Sequence, residues 1–470
     1  MIDGIWPAIS ALKTIEKKLD VSANNTSNVN TQGFKTSSAS SQEASPQDVS
    51  AACGTSQVGQ GTDLAAISQD FSSGMFESTT SPTDMAIGGI GFFMVKDTGG
   101  GDYFTRDGQF HFDKNGRFVT AAGHVVQGWK LDPIAGQPQG AIRGVTLSSF
   151  TSPPQETTHG KTIINLNSNA QDKSPGSDAL ASAWDGDNPD GSYIGDNAYE
   201  YRTSIKAYDR VGGTHDITFY FDKASARSTW EYIVTANPDD DLRLGAAGDD
   251  LGLLARGTLT FDDSGDISDM TMDIDDGAGN WIAQDVATDL ANGRFTYHPD
   301  FLGAADGSTQ MSIQLDLGSS YDGSSWVKDS LSSTQHGAAS NAVHYFADGY
   351  GAGDLQSVSV SGDGVISGNY SNGQALNLFQ VAIAKFNNPQ GLNKIGNNLY
   401  AKTSESGDAI AGRPGTNGLG GIVPNALEQS NADMAKESVK LILMRRSFQA
   451  NLDVIRTKDE MTGDLVNIIS

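Results

Sequence analysis

One cysteine, Cys53, is present in 470 residues. A disulfide within the chain needs two, so no disulfide framework holds this fold, and an extracellular protein of this sequence would not rely on oxidation for stability. No run of about 18 apolar residues occurs, which excludes a membrane-spanning helix and any membrane insertion by that route. The first residues do not read as a secretory signal: Asp3 and Glu16 interrupt them and no apolar core or small-residue cleavage site follows. Basic residues are scarce. The 31 Lys and Arg stand against 57 Asp and Glu, a formal net charge of -26, which removes the basic face that binding to phosphates requires and with it nucleic acid as a partner.

The catalytic vocabulary is equally thin. His111, His124, His159, His215, His298, His336 and His344 are scattered, with no H-E-x-x-H and no Cys/His cluster. Gly88-Gly89-Ile90-Gly91 lacks the Lys-Ser/Thr of a phosphate loop, and no helical pattern follows it. No G-x-S-x-G elbow occurs. No catalytic residue, cofactor or metal is expected, and the chain reads as something other than an enzyme. Internal repeats of 20–50 residues are absent as well.

What is present lies first at the two ends. Leu427, Met434, Leu441, Phe448, Ile455, Thr462 and Ile469 fall seven apart, and Met444, Leu452, Leu465 and Val466 widen the line into a stripe. Seven residues make two turns, so the spacing predicts one long amphipathic helix over 425–470, about 65 Å in length. Ile5, Leu12 and Leu19 repeat the spacing, with Ala8, Ile9 and Ile15 on the same face, which predicts a second helix over roughly 5–29 with Pro7 in its first turn. No other stretch nearby looks like a helix partner, so the ends should pair with each other or with those of neighbouring copies.

Between them, 55 glycines and many Ser, Thr, Asn and Asp favour short strands joined by turns. Alternation puts Ile217, Phe219 and Phe221 on one face of a strand, and 229–234 and 257–261 read alike. Carboxylates cluster at Asp185, Asp187 and Asp190, at Asp262, Asp263, Asp266 and Asp269, and at Asp273, Asp275 and Asp276. None follows the EF-hand spacing; they read as solvated turns, with calcium binding as the alternative.

The first helix runs into a string in which Asn24, Asn25, Asn28, Asn30, Thr31, Gly33, Phe34 and Lys35 stand in order. Asn side chains compete with the helix for backbone groups and so end it; Gly33 permits a turn and Phe34 anchors the exit. This string resembles the signature of the flagellar rod and hook protein family, with Thr26-Ser27 where the family has a hydrophobic residue and Ala. Three further blocks resemble the family in the same order. The first is Gly89-Ile90-Gly91-Phe92-Phe93 with Tyr103 to Phe110. The second is Gly368 to Gln374 with Phe386 to Leu392. The third is Leu427 to Asn431, including Ser430 and Asn431, with Phe448-Gln449-Ala450-Asn451. About 200 residues separate the two β-domain halves, a size similar to that of the family's hook members.

The resemblance implies a mixed, mainly β fold, in which discontinuous β-domains are nested between terminal α-helices that form a coiled-coil-like inner layer. It implies a helical core of residues 1–30 and 425–470, a linker region over 31–70, a first β-domain from 71–145 and 355–424, and one or two nested β-domains over 146–354. The helix seam would be Ile5, Leu12, Leu19, Leu427, Met434, Leu441, Phe448, Leu452 and Ile455. It further implies a curved, flexible tubular homopolymer outside the cell that carries motor torque. The partners would be the distal rod protein, a hook cap protein, a hook-filament junction protein and the type III export apparatus, with export occurring without a cleaved signal. Two other readings stay open: a distal-rod-like subunit, and a secreted acidic β-protein that binds calcium or carbohydrate.

Overall fold

The computed structural model describes residues 5–51, 54–132, 135–147, 149–176, 178–226, 228–276, 279–304 and 309–469; Cys53 and the side chains of 465–470 lie outside the described set. The chain forms two compact units, one of residues 1–150 with 355–470 and one of residues 151–354.

In the first unit, helix α1 (Trp6–Ser27) begins with Pro7 in its first turn, where the missing N–H leaves no bond unmade. After it, a two-stranded ribbon pairs β1 (Ser37–Glu43) with β4 (Thr62–Gln69), and its tip pairs β2 (Gln47–Ala51) with β3 (Gly54–Val58). The expected linker is therefore a long hairpin. It lies against α1 through small hydroxyls: Ser10 Oγ accepts from the Thr62 N–H at 3.1 Å, and Thr14 Oγ1 donates to Thr62 O at 3.2 Å. Ala8, Thr14, Ser22 and Asn25 are the buried residues of the helix. An apolar period cannot reveal such a polar seam, so the hairpin was not foreseen as a partner of the first helix.

The β-domain of this unit closes through pairing between distant halves. Val125–Leu131 runs antiparallel to Ala375–Val381, Phe92 and Phe93 pair with Ala384 and Ile383, and Met85–Gly88 pairs with Gly421–Pro424. Adjacent phenylalanines on a strand point to opposite faces. Phe93 therefore enters one core, stacked edge-on to Phe110 at 5.0 Å, and Phe92 enters another with Phe104, Phe386 and Tyr400. The carboxy-terminal helix α2 spans Met434–Ile469 and packs against α1. Its start differs from the expectation. Asn425 takes a left-handed φ of 52°, Ala426–Glu428 forms a strand against Phe76–Ser78, and Asp433 Oδ1 caps the helix by accepting from the N–H groups of Ala435 and Lys436. Leu427 thus continues the seven-residue spacing by sequence but lies in a strand, where it is buried.

The second unit is built on two larger sheets, with a two-stranded ribbon of Ser319–Tyr321 and Trp326–Lys328 beside them. One is a meander of Tyr201–Tyr208, Thr214–Lys223, Thr229–Thr235 and Leu253–Phe261, extended by Asp273–Asp275 and Trp281–Ala283. The other centres on His159–Asn167, flanked by Ile313–Asp316 and Asn341–Ala347. Ile217, Phe219 and Phe221 do share one face, and they enter a single core with Ile164, Leu166, Tyr297 and Ile313 of the other sheet.

Asp316 ties that second sheet together. Its buried carboxylate lies 3.1 Å from His159 Nε2, 3.4 Å from Lys161 Nζ and 3.5 Å from Arg294 Nε. Burial alone would raise its pKa. The hydrogen bonds from His159 and the Gly318 N–H, with the charges of Arg294 and Lys161, outweigh that and hold it at about 2, below the ordinary 3.8. A depressed carboxyl contributes stability above its unfolded pKa and loses it as pH falls toward the folded value. Asp316→Asn should therefore lower the domain's unfolding free energy by about 2 kcal/mol at neutral pH. The gap should close as pH falls from about 4 to about 2 in thermal unfolding of the two proteins; a gap that does not change with pH would contradict it.

Candidate functional site

Both ends of the chain meet the β-domain at one buried junction. The Asn-rich string leaves α1 with Asn28 as its C-cap, its Nδ2 donating to Asn24 O at 2.9 Å, while Thr31 Oγ1 donates to Asn28 Oδ1 at 3.1 Å. Asn25 is buried and holds the descending chain by both its amide atoms: Nδ2 donates to Ser37 O at 2.8 Å and Oδ1 accepts from Ser37 N–H at 2.9 Å. Gly33 adopts φ +66°, and its N–H donates to Glu428 O at 2.7 Å. Phe34 is buried, with Lys394 Nζ 4.3 Å over its ring. Asn30 is exposed.

Lys35 is fully buried. Its ammonium donates to Glu428 Oε1 and to Ser72 O, each at 2.6 Å. Glu428, equally buried, also accepts from the Gly74 N–H at 2.8 Å and stands 3.4 Å from Arg106 NH1. Arg106 in turn donates to Gly89 O at 2.7 Å and lies over the ring of Phe92. Burial pushes both cations below their ordinary pKa values, opposed by the charge of Glu428. Such a set stabilises only when complete, because desolvating each ion costs several kcal/mol that the partner must repay. Asn431 adds a second tie: Oδ1 accepts from the Thr36 N–H and Nδ2 donates to Asp70 O, both at 2.8 Å. Ser430 Oγ accepts from the Ala432 N–H, so it shapes the turn into α2.

Lys35 was singled out in the sequence, but its partners Glu428 and Arg106 were not. Both lie inside the recognised blocks, and the available signal was a charge set among apolar neighbours, Ala426-Leu427-Glu428 and Phe104-Thr105-Arg106. The junction also explains Gly33. A β-carbon there would stand 2.7 Å from the Arg106 carbonyl carbon and the Asp107 nitrogen. Gly33→Val should cost about 2–4 kcal/mol from backbone strain and the forced shift together. Denaturant unfolding of the variant beside the parent checks this; unchanged stability would contradict it.

The seam residues divide. Leu441, Leu452 and Ile455 of α2 and Leu12 of α1 are half-buried, as is Ile5 at the helix N-cap, whereas Leu19, Met434 and Phe448 are exposed. Ser22 Oγ bonds to Glu437 across the helix pair, and Val21 and Met444 line a small shared cavity beside it. Val439, Ile442, Leu443, Val454 and Met461 form further exposed apolar surface on α2. Asn451 donates to Ser447 O of its own helix, and Gln449 is exposed. Near the junction an open cleft of about 870 Å³ is lined by Val29, Asn30, Asp70, Gly74 and Gln429, among others. Among the described residues, no group of three or more His, Cys, Asp or Glu is placed to hold a metal. The arrangement fixes how two helices leave a β-domain.

Four family models match the chain in order. They are described as flagella basal body rod protein over residues 7–35, flagellar hook protein FlgE/F/G D1 domain over 86–172, flagellar basal body protein FlaE D2 domain over 183–350, and flagellar basal body rod FlgEFG protein C-terminal over 423–468. The flagellar hook protein FlgE of Escherichia coli K12 is 31% identical over 466 residues, covering 98% of each chain. That of Treponema pallidum is 28% identical over the whole of both chains. The crystal structure of the Helicobacter pylori flagellar hook protein FlgE2 covers 75% of this chain and all of its own, at 15% identity and a TM-score of 0.45.

Proposed function

The chain belongs to the flagellar hook protein family and is a hook subunit, and from that premise we infer that it polymerises through its two terminal helices into a curved tube that carries torque. The observation that carries this is the apolar surface on α2 that α1 leaves uncovered: Val439, Ile442, Leu443, Val454 and Met461 are each more than half exposed in the single chain. A helix that is apolar on more than one side needs more than one neighbour. In a tube, helices of adjacent copies supply them. The junction of Lys35, Glu428 and Arg106 then passes load from the helices into the β-domain without a flexible hinge.

On this reading the tube meets a distal rod protein at its base and a junction protein at its far end, and it grows beneath a cap protein. The subunit leaves the cell through the type III export apparatus without a cleaved signal, and performs no catalysis. The seam residues named above and the Asn-rich string are its assembly elements. Electron microscopy of the purified chain, concentrated in rising salt, tests the reading. Curved tubes support it. Straight rods would favour a drive-shaft role, and a monomer at every concentration would overturn it.

A further inference from the structure

The charge of the chain is not evenly spread. Residues 151–354 carry 33 Asp and Glu against 11 Lys and Arg, a formal net of -22, which leaves -4 for the other 266 residues. Seven of those eleven cations are already ion-paired to carboxylates of the same domain, Lys161, Arg243 and Arg294 among them. A neighbouring copy therefore meets an acidic domain with few cations free to pair with its own acidic surface. Like charges brought together at this density oppose contact unless salt screens them or the touching faces are uncharged.

One stretch of the domain is free of charge. Between Asp329 and Asp348 the chain has no Asp, Glu, Lys or Arg. It ends in the strand Asn341–Ala347, which pairs with His159–Asn167, with Val343 bulged out of register. Val343, Tyr345 and Phe346 are 57%, 67% and 49% exposed. The domain's other exposed large apolar residues among those described are Val211, Leu242, Leu244, Ile282, Val327 and Leu331. Val211, Leu242, Ile282 and Val327 lie within three residues of Asp209, Asp241, Asp285 and Asp329, Leu244 follows Arg243, and Leu331 opens the same uncharged stretch, which Asp348 closes. We propose that this strand, paired among the described residues only with His159–Asn167, meets the inserted domain of a second copy along its other edge, so that Tyr345 and Phe346, on opposite sides of the strand, both border the contact, because this is a surface that a copy of the same acidic charge can approach. The proposal rests on the hook-subunit reading. It makes the contact between inserted domains dependent on ionic strength, since the flanking acidic surfaces repel more strongly as the Debye length grows from about 8 Å at 0.15 M to about 30 Å at 0.01 M.

The test uses the full chain with Cys53→Ser and either Tyr345→Cys, Phe346→Cys or, as a control, Val211→Cys. Labelling by a maleimide is followed on monomer and polymer. Polymerisation should slow labelling at 345 and 346 about tenfold and leave 211 little changed, and the protection should weaken when the polymer is moved to low salt. A polymer in which 345 and 346 label at the monomer's rate, or in which 211 is protected equally, overturns this inference while the hook reading stands. Failure to form any polymer overturns both. Protection seen only after another protein is added would assign the strand to that partner and overturn the inference as well.

Discussion

Glu428→Ala should destabilise the folded chain by about 3–5 kcal/mol, because it strands two buried cations at once. Lys35 would keep only its bond to Ser72 O, and Arg106 its bonds to the Gly89 and Ile87 carbonyls, each in a site with no solvent to replace the lost carboxylate. The Gly74 N–H would lose its acceptor too. The damage is not confined to one element, since Lys35 follows α1, Glu428 precedes α2 and Arg106 belongs to the β-domain. The expected phenotype is loss of hook assembly with a lowered melting transition. Adding Lys35→Met to a Glu428→Met variant should recover part of the loss, because an apolar pair of similar volume replaces an ion pair more cheaply than an orphaned charge does. A Glu428→Ala protein that melts with the parent and assembles normally would show that the junction is ornamental.

Phe448→Ala separates folding from assembly. Phe448 is 39% exposed in the single chain, so truncating it should change monomer stability by less than about 1 kcal/mol. Buried between helices of adjacent copies, the same truncation should cost about 3 kcal/mol for each subunit added, which raises the critical concentration for polymerisation roughly a hundredfold. Sedimentation of polymer across a concentration series measures that shift, with calorimetry of the monomer as the control. An unchanged critical concentration would remove Phe448 from the seam.

The legible parts of this protein were those written in period and in local turn chemistry. The spacing of Leu12 and of Leu441, Phe448 and Ile455 announced helices, and the alternation of Ile217, Phe219 and Phe221 announced a strand face; both readings depend only on side chains pointing at fixed angles from the backbone. The start of α2 was misplaced because Leu427 extends the seven-residue spacing by coincidence, and the left-handed backbone at Asn425 with the Asp433 cap decides the matter instead. The hairpin against α1 escaped notice because its contacts are Ser and Thr hydroxyls, which leave no apolar period. The buried set of Lys35, Arg106 and Glu428 was invisible for a third reason. Its members lie as far as 393 positions apart, and only the closure of the β-domain brings them together.

The central claim, that the terminal helices complete their packing only in the polymer, is tested most directly by hydrogen exchange followed at residues 5–35 and 434–464 in the monomer and then in the polymer. The account predicts that backbone amides of α2 around Ile442, Phe448 and Val454 exchange fast in the monomer and slow by at least roughly a hundredfold on polymerisation, with the residues of the junction protected in both states. Strong protection throughout α2 in the monomer, unchanged in the polymer, would contradict it.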